Sequence, residues 1–374
     1  MKRILILFLI AVFIAILICS ARFPIKNIAY TELGIPTDMQ YNEGIRARCP
    51  WDMIVWDEKL YVGSGDYGAN AGPVDIWCYD KKEGIWENSG TTEEEEINRF
   101  CVVENSPVVP GIDPTEDWTH GNYYKLEGDT WTKYRNIPGG IHNFDMVEFQ
   151  GKIFCGLGVL AGEYPVVCSS DHGETFVPLL MYKDGSLLDT SGSGRVRAYD
   201  LFVFDNSLYA IFMYGDTDIT YDLYRYENGS LVYDNTWYQK IHQIKFANSI
   251  ISAKAEFDGR MFFTTGHLYA TDDMANFTRV IFPHAETVYD ICVYDQKLYA
   301  LCGEKTADGR YIVSVWENRG GEVSDFRLLF DFKYDVPPLS FACHQDGFYI
   351  GMGDFHAVHP KNGMILSVDY KVKN

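Results

Sequence analysis

The sequence predicts an all-β chain, a β-propeller of seven blades, with six or eight as the alternatives. Three observations carry this. Runs rich in Tyr (26) and Phe (23) are broken throughout by Gly, Asp and Asn turns, and helical apolar spacing is absent after residue 22. One hairpin pattern recurs: a strand, a short polar turn, an apolar residue, then an aromatic. The recurrence has a period of roughly 48 residues, the span of one four-stranded blade.

The N-terminus comes before the repeats. Lys2 and Arg3 precede an unbroken apolar run, Ile4 to Cys19, and Cys19-Ser20-Ala21 offers small residues for cleavage after Ala21. That is the layout of a secretory signal, and the run is slightly short for a comfortable membrane span. Residues 1–21 are therefore expected to be a cleaved signal peptide or an uncleaved N-terminal anchor. Both place the rest of the chain outside the cytoplasm, so membrane contact is expected only through this segment. Residues 22–50 read as a lead-in and 51–374 as the propeller.

The units follow in order. They are "DMIVWDEKLYVGSG" (52–65), a degraded "RFCVVENSPVVPG" (99–111), "DMVEFQGKIFCGLG" (145–158) and "DLFVFDNSLYAIF" (200–212). Three more are "AKAEFDGRMFFTTG" (253–266), "DICVYDQKLYALCG" (290–303) and "SFACHQDGFYIGMG" (340–353). They are numbered one to seven below. The aromatic after the turn is Tyr61, Phe154, Tyr209, Phe262, Tyr299 or Tyr349. It is expected to pack on the next blade. Second hairpins follow several units, as in "DIWCYDKKEGIWEN" (75–88) and "NYYKLEGDTWTKY" (122–134).

Two motifs carry a family resemblance. Tyr79-Asp80 with Trp86 six residues on resembles the tail of a kelch unit. "SSDHGETF" (169–176) is a full match to the Asp-box of sialidase-type exported propellers, and "YATDDMANFTRV" (269–280) is similar to a decayed copy. The resemblance implies a propeller in which Ser169, Asp171, Gly173, Thr175 and Phe176 form a structural staple away from any active centre. The residues themselves read the same way. Asp171 can accept from the amides of its own turn, and Gly173 can take a positive φ.

Composition narrows the partners. The net charge is −20, which repels nucleic acid and anionic lipid, so neither is expected as a partner. Eight cysteines follow Cys19, several inside apolar strand runs, where a thiol behaves as a small buried hydrophobe. The acidic run "TEEEE" (92–96) reads as a solvated loop. His344, His356 and His359 do not share a strand face, and "GDTDITYD" (215–222) lacks the glycine of a calcium loop. No metal or other cofactor is expected.

Propeller ligands bind at a channel mouth, where inner strands begin. The residues there are Arg46 and Arg48 in unit one, His142 in unit three, Arg195 and Arg197 in unit four, Lys254 in unit five, and His284 with Glu286 in unit six. Arginine grips carboxylate, sulfate or phosphate at two points. These cations form either a cup for an anionic ligand or a ring of pairs with the recurring Asp52, Asp145, Asp200 and Asp290. The loop "GIDPTEDWTHGNYY" (111–124) adds Trp118 and His120, with Trp118 able to stack on a sugar.

The expected function is that of an extracytoplasmic binding or scaffold module, monomeric, holding an anionic or carbohydrate ligand at the mouth. The alternatives are a sialidase-like or other polysaccharide-active enzyme and a protein-interaction platform. The sialidase-like resemblance implies three arginines, a Tyr–Glu pair and an Asp acid/base, but the family's usual arginine-isoleucine-proline start is absent and no catalytic residue is assigned.

Overall fold

The computed structural model describes residues 26–36, 47–159, 162–190, 196–214, 220–234, 253–283, 285, 287–345 and 347–370. The signal or anchor expected over residues 1–21 lies outside them. Among the described residues no helix is long and apolar enough to cross a membrane. The only helix among them is one 3-10 turn, Tyr67–Ala69.

The chain is an all-β propeller. Five antiparallel sheets of four strands stand as separate blades. Unit one contributes Asp52–Trp56, Lys59–Gly63, Val74–Asp80 and Ile85–Thr92. Unit two contributes Cys101–Val103, Ser106–Pro110, His120–Glu127 and Thr130–Pro138. Units five and six span Ala253 to Val280 and Thr287 to Tyr334. Unit seven supplies Pro338–His344, Gly347–Met352 and Met364–Asp369, and its fourth strand is Thr31–Gly34 from the lead-in. Thr31 pairs with Ser367 and Glu32 with Leu366.

The expectation of seven separate blades is corrected here. Units three and four share one twelve-stranded sheet. Its seam is a short ladder in which Gly158 and Val159, at the end of one hairpin, pair with Arg197 and Val196, at the start of the next. The same sheet reaches over unit two through Ile112–Pro114 and Glu94–Glu96.

The repeated aromatics explain how the ring holds together. Tyr61 packs with Val109, Tyr124 and Trp131 of unit two. Phe154 packs with Leu201, Ala210 and Phe212 of unit four. Tyr209 packs with Met261 and Phe263 of unit five. Phe262 packs with Leu298 and Ala300 of unit six. Tyr299 meets Phe348 of unit seven at 5.2 Å, and Tyr349 packs with Met53, Leu60 and Val62 of unit one. Each aromatic is thus buried by the unit that follows it. Burial of such a side chain is worth about 1.5–3 kcal/mol, and the repeat spends it on unit-to-unit cohesion. The eight described cysteines are free thiols, and all but Cys292 are fully buried.

Candidate functional site at the channel mouth

A cavity of about 1080 Å³ is walled by inner-strand residues of all seven units. Two rings of side chains organise it, and in four units both come from one local device. At Asn143/Asp145, Ala198/Asp200, Val288/Asp290 and Pro338/Ser340 the inner strand carries a β-bulge. In unit one Trp51 N also donates to Gly63 O at 2.9 Å while Asp52 pairs with the same Gly63. A bulge sets two residues against one, so the strict alternation of faces is broken.

The residue between the two, or its counterpart in units one and two, supplies the outer ring. It is Trp51, Asn98, Phe144, Tyr199, Tyr289 or Leu339, and all six line the cavity. The Trp51 indole is fixed by a hydrogen bond to Gly65 O at 2.9 Å and lies 6.1 Å from the ring of Phe355.

The second residue supplies the inner ring, whose members are Asp52, Arg99, Asp145, Asp200, Asp290 and Ser340. Its carboxylates tie neighbouring units together. Asp52 accepts from Met53 N at 2.8 Å and from Phe100 N of unit two at 2.7 Å. Asp145 accepts from Met146 N at 3.0 Å and from Leu201 N of unit four at 2.8 Å. Arg99 lies 2.8 Å from Asp145 and 3.0 Å from Asp200. Lys254 bridges the same two carboxylates, at 3.2 Å from Asp200.

Charge is unevenly spread around this ring. Burial alone would raise Asp145, but the Arg99 guanidinium and the Lys254 ammonium outweigh it and hold its carboxyl below the usual range. Asp52 lacks such contact, and burial pushes it up to about 6 despite two backbone hydrogen bonds. Asp290 is raised well above the carboxylate range, first by burial and then by Asp52.

Arg99 and Lys254 thus neutralise Asp145 and Asp200, while Asp52 is held by backbone amides. Arg46, Arg195 and His284 lie outside the described residues, as does Glu286. Arg48 is half-buried in a turn. Trp118 is 57% exposed on the short stretch before the strand His120–Glu127, and His120 is exposed at that strand's start.

His142 and Arg197 come together. The His142 ring stacks on Phe144 at 5.3 Å, and Phe144 meets Tyr199 at 4.3 Å. The Arg197 guanidinium lies 6.0 Å from the Phe144 ring and 5.9 Å from that of Tyr199, and donates to Tyr199 Oη at 2.8 Å. Among the described residues no carboxylate comes within ion-pairing distance of it. Gly158 makes the close packing possible, since a Cβ there would lie 2.8 Å from His142 Cδ2.

Two further expectations are corrected. "TEEEE" (92–96) is no solvated loop: Glu94, Glu95 and Glu96 form a buried strand paired with Ile112–Pro114. Asn122 Nδ2 donates to Glu94 Oε1 at 2.7 Å and Tyr124 Oη does so at 3.1 Å. The segment 111–124 is likewise mostly strand, with Glu116 held by Lys133 at 2.5 Å and Arg135 at 3.1 Å.

The "SSDHGETF" segment is a closed hydrogen-bonded turn. Ser169 Oγ donates to Asp171 Oδ1 at 2.6 Å, Gly173 N donates to Ser169 Oγ at 2.9 Å, and Thr175 N donates to Asp171 Oδ1 at 2.9 Å. Phe176 is buried against Tyr123. The turn joins Val166–Ser169 to Val177–Pro178, away from the cavity lining.

No known family profile matches the chain, and no curated protein matches it in sequence. Solved structures match in fold. A chain in the mitotic checkpoint complex is 10% identical with a TM-score of 0.54, over 95% of this chain and 94% of that one. A puromycin hydrolase is 12% identical with a TM-score of 0.51, over 87% of this chain and 53% of that one. PorZ, a bacterial surface component of the type-IX secretion system of Porphyromonas gingivalis, is 12% identical with a TM-score of 0.51, over 86% of this chain and 46% of that one. At these identities the likeness is one of propeller architecture.

Proposed function

We propose that the protein binds an anionic carbohydrate at this mouth. The observation that carries the reading is Arg197. Its guanidinium lies over Phe144 and Tyr199, two rings that line the cavity, and is not consumed by a carboxylate of the described chain. A planar fork of donors held this way suits a ligand carboxylate or sulfate. The half-buried Trp51 and Tyr289, with the edges of Phe144 and Tyr199, offer the apolar surface on which sugar rings rest.

The rest of the proposal concerns setting. The merged sheet serves as two of seven blades, the "SSDHGETF" turn is an Asp-box staple, and residues 1–21 carry the propeller out of the cytoplasm. The test is calorimetric titration with oligogalacturonate, chondroitin sulfate oligosaccharides and neutral dextran. The acidic ligands should bind, dextran should not, and Arg197→Ala should weaken binding at least about tenfold, or roughly 1.4 kcal/mol. Equal binding of dextran, or an Arg197→Ala protein that binds as the parent does, would refute the reading.

A further inference from the structure

The mouth holds more chemistry around Arg197 than anion binding requires. His142, Phe144 and Tyr199 form a continuous row of rings, with centroid steps of 5.3 and 4.3 Å. An imidazole therefore stands at one end of an apolar shelf and a phenol at the other, with the guanidinium above both Phe144 and Tyr199. Asp113 Oδ1 lies 4.0 Å from His142 Nδ1. Asp113 also has φ +57, in the left-handed region, a conformation that costs a non-glycine residue of order 1 kcal/mol or more and concentrates at functional sites. Burial raises the Asp113 carboxyl above the usual range, and Arg197, with which it forms no ion pair, offsets only part of this.

We infer that this mouth cleaves the anionic sugar it binds by β-elimination, with Arg197 on the uronate carboxylate, His142 as base and Tyr199 as acid. The inference rests on the binding reading above. A hexuronate seated against the edges that Phe144 and Tyr199 turn to the cavity has its carboxylate beside Arg197. The hydrogen on C5, next to that carboxylate, is a weak acid, because its removal places a second negative charge beside the first. Neutralising the carboxylate with a fixed guanidinium lowers that barrier. His142, its ring held against Phe144, removes the C5 proton. The electron pair forms the C4–C5 double bond, and the C4–O4 bond breaks. Tyr199 Oη, held by its hydrogen bond from Arg197, gives its proton to the departing oxygen. His142 then releases a proton and Tyr199 regains one. The products are a new reducing end on one fragment and an unsaturated uronate on the other; no water is added and nothing is oxidised or reduced.

The experiment uses the full chain with polygalacturonate, chondroitin sulfate and a glucuronan. It follows ultraviolet absorbance of the conjugated product, saturated reducing ends, and calorimetric binding in parallel. The parent protein should release unsaturated product from at least one of these polymers. Tyr199→Phe, which removes a single oxygen, and His142→Gln should lower the rate by about 10²- to 10⁴-fold while binding stays within a few-fold. Arg197→Ala should lose binding and turnover together. Binding with no unsaturated product from any polymer overturns elimination and leaves the binding reading standing. So does release of saturated ends only, or a Tyr199→Phe protein as fast as the parent. Absence of binding to all three overturns both readings.

Discussion

Arg99 Nη2 lies 3.0 Å from Asp200 Oδ1 although the two residues stand on units two and four. The contact skips unit three, whose Asp145 is held by the other guanidinium nitrogen. The network therefore works as a tie across the channel as well as around it. Arg99→Met should leave two buried carboxylates with Lys254 alone. Removing one partner of a buried network costs about 3–5 kcal/mol, so the urea midpoint should fall sharply. A loss below about 1 kcal/mol would show that the chord carries little.

Glu94 predicts an unusual dependence on pH. It is fully buried, and burial pushes its carboxyl up to about 7, against hydrogen bonds from Asn122 and Tyr124. A carboxyl raised on folding binds protons more tightly folded than unfolded, so its contribution to stability falls as pH rises from about 4.5 through about 7. Glu94→Gln keeps an acceptor for Asn122 and Tyr124 and has no charge to bury. The variant should match the parent near pH 5 and exceed it in denaturant stability at pH 8. Parallel stability curves across that range would show that Glu94 is accommodated as a carboxylate.

Gly173 tests whether the "SSDHGETF" turn is purely structural. Its φ is +85, and a Cβ there would come within 2.6 Å of Tyr123 Oη. Gly173→Ala should therefore destabilise the fold by more than the roughly 1 kcal/mol that a positive φ alone costs, while ligand affinity at the mouth stays unchanged in the folded fraction. A loss of affinity without a loss of stability would move this turn into the binding site.

How much of this was legible in the sequence follows from the repeat. The aromatic after each turn was readable because it recurs at one place in a strand–turn–strand pattern, and the six are buried against the following unit. The outer ring was equally readable and was missed. It is written as Trp51-Asp52, Phe144-Asp145, Tyr199-Asp200 and Tyr289-Asp290, an aromatic before each recurring Asp, but alternation along a strand sends neighbours to opposite faces, and only a bulge turns both toward the channel. Arg99 was hidden because its unit is degraded. In register it occupies the place of the aspartates, two residues before the Cys101–Val108 pair. Glu94 to Glu96 misled for the opposite reason. Four consecutive acids read as solvated, and nothing local shows that Asn122, Tyr124 and the 112–114 strand will cover them.

The pairing of Thr31–Gly34 with Met364–Asp369 joins nearly the first described residues to nearly the last. During synthesis the early strand emerges with no partner, and six units are made before the strand that will accept it. Until then unit seven cannot be completed, and Tyr349 has not yet covered Met53 and Leu60 on the far side of the ring. Such late, distant contacts slow folding and leave edges exposed in the meantime. A chain cut short near its end would therefore leave an open arc with two unpaired faces, and the quality of the whole ring is decided by its final residues.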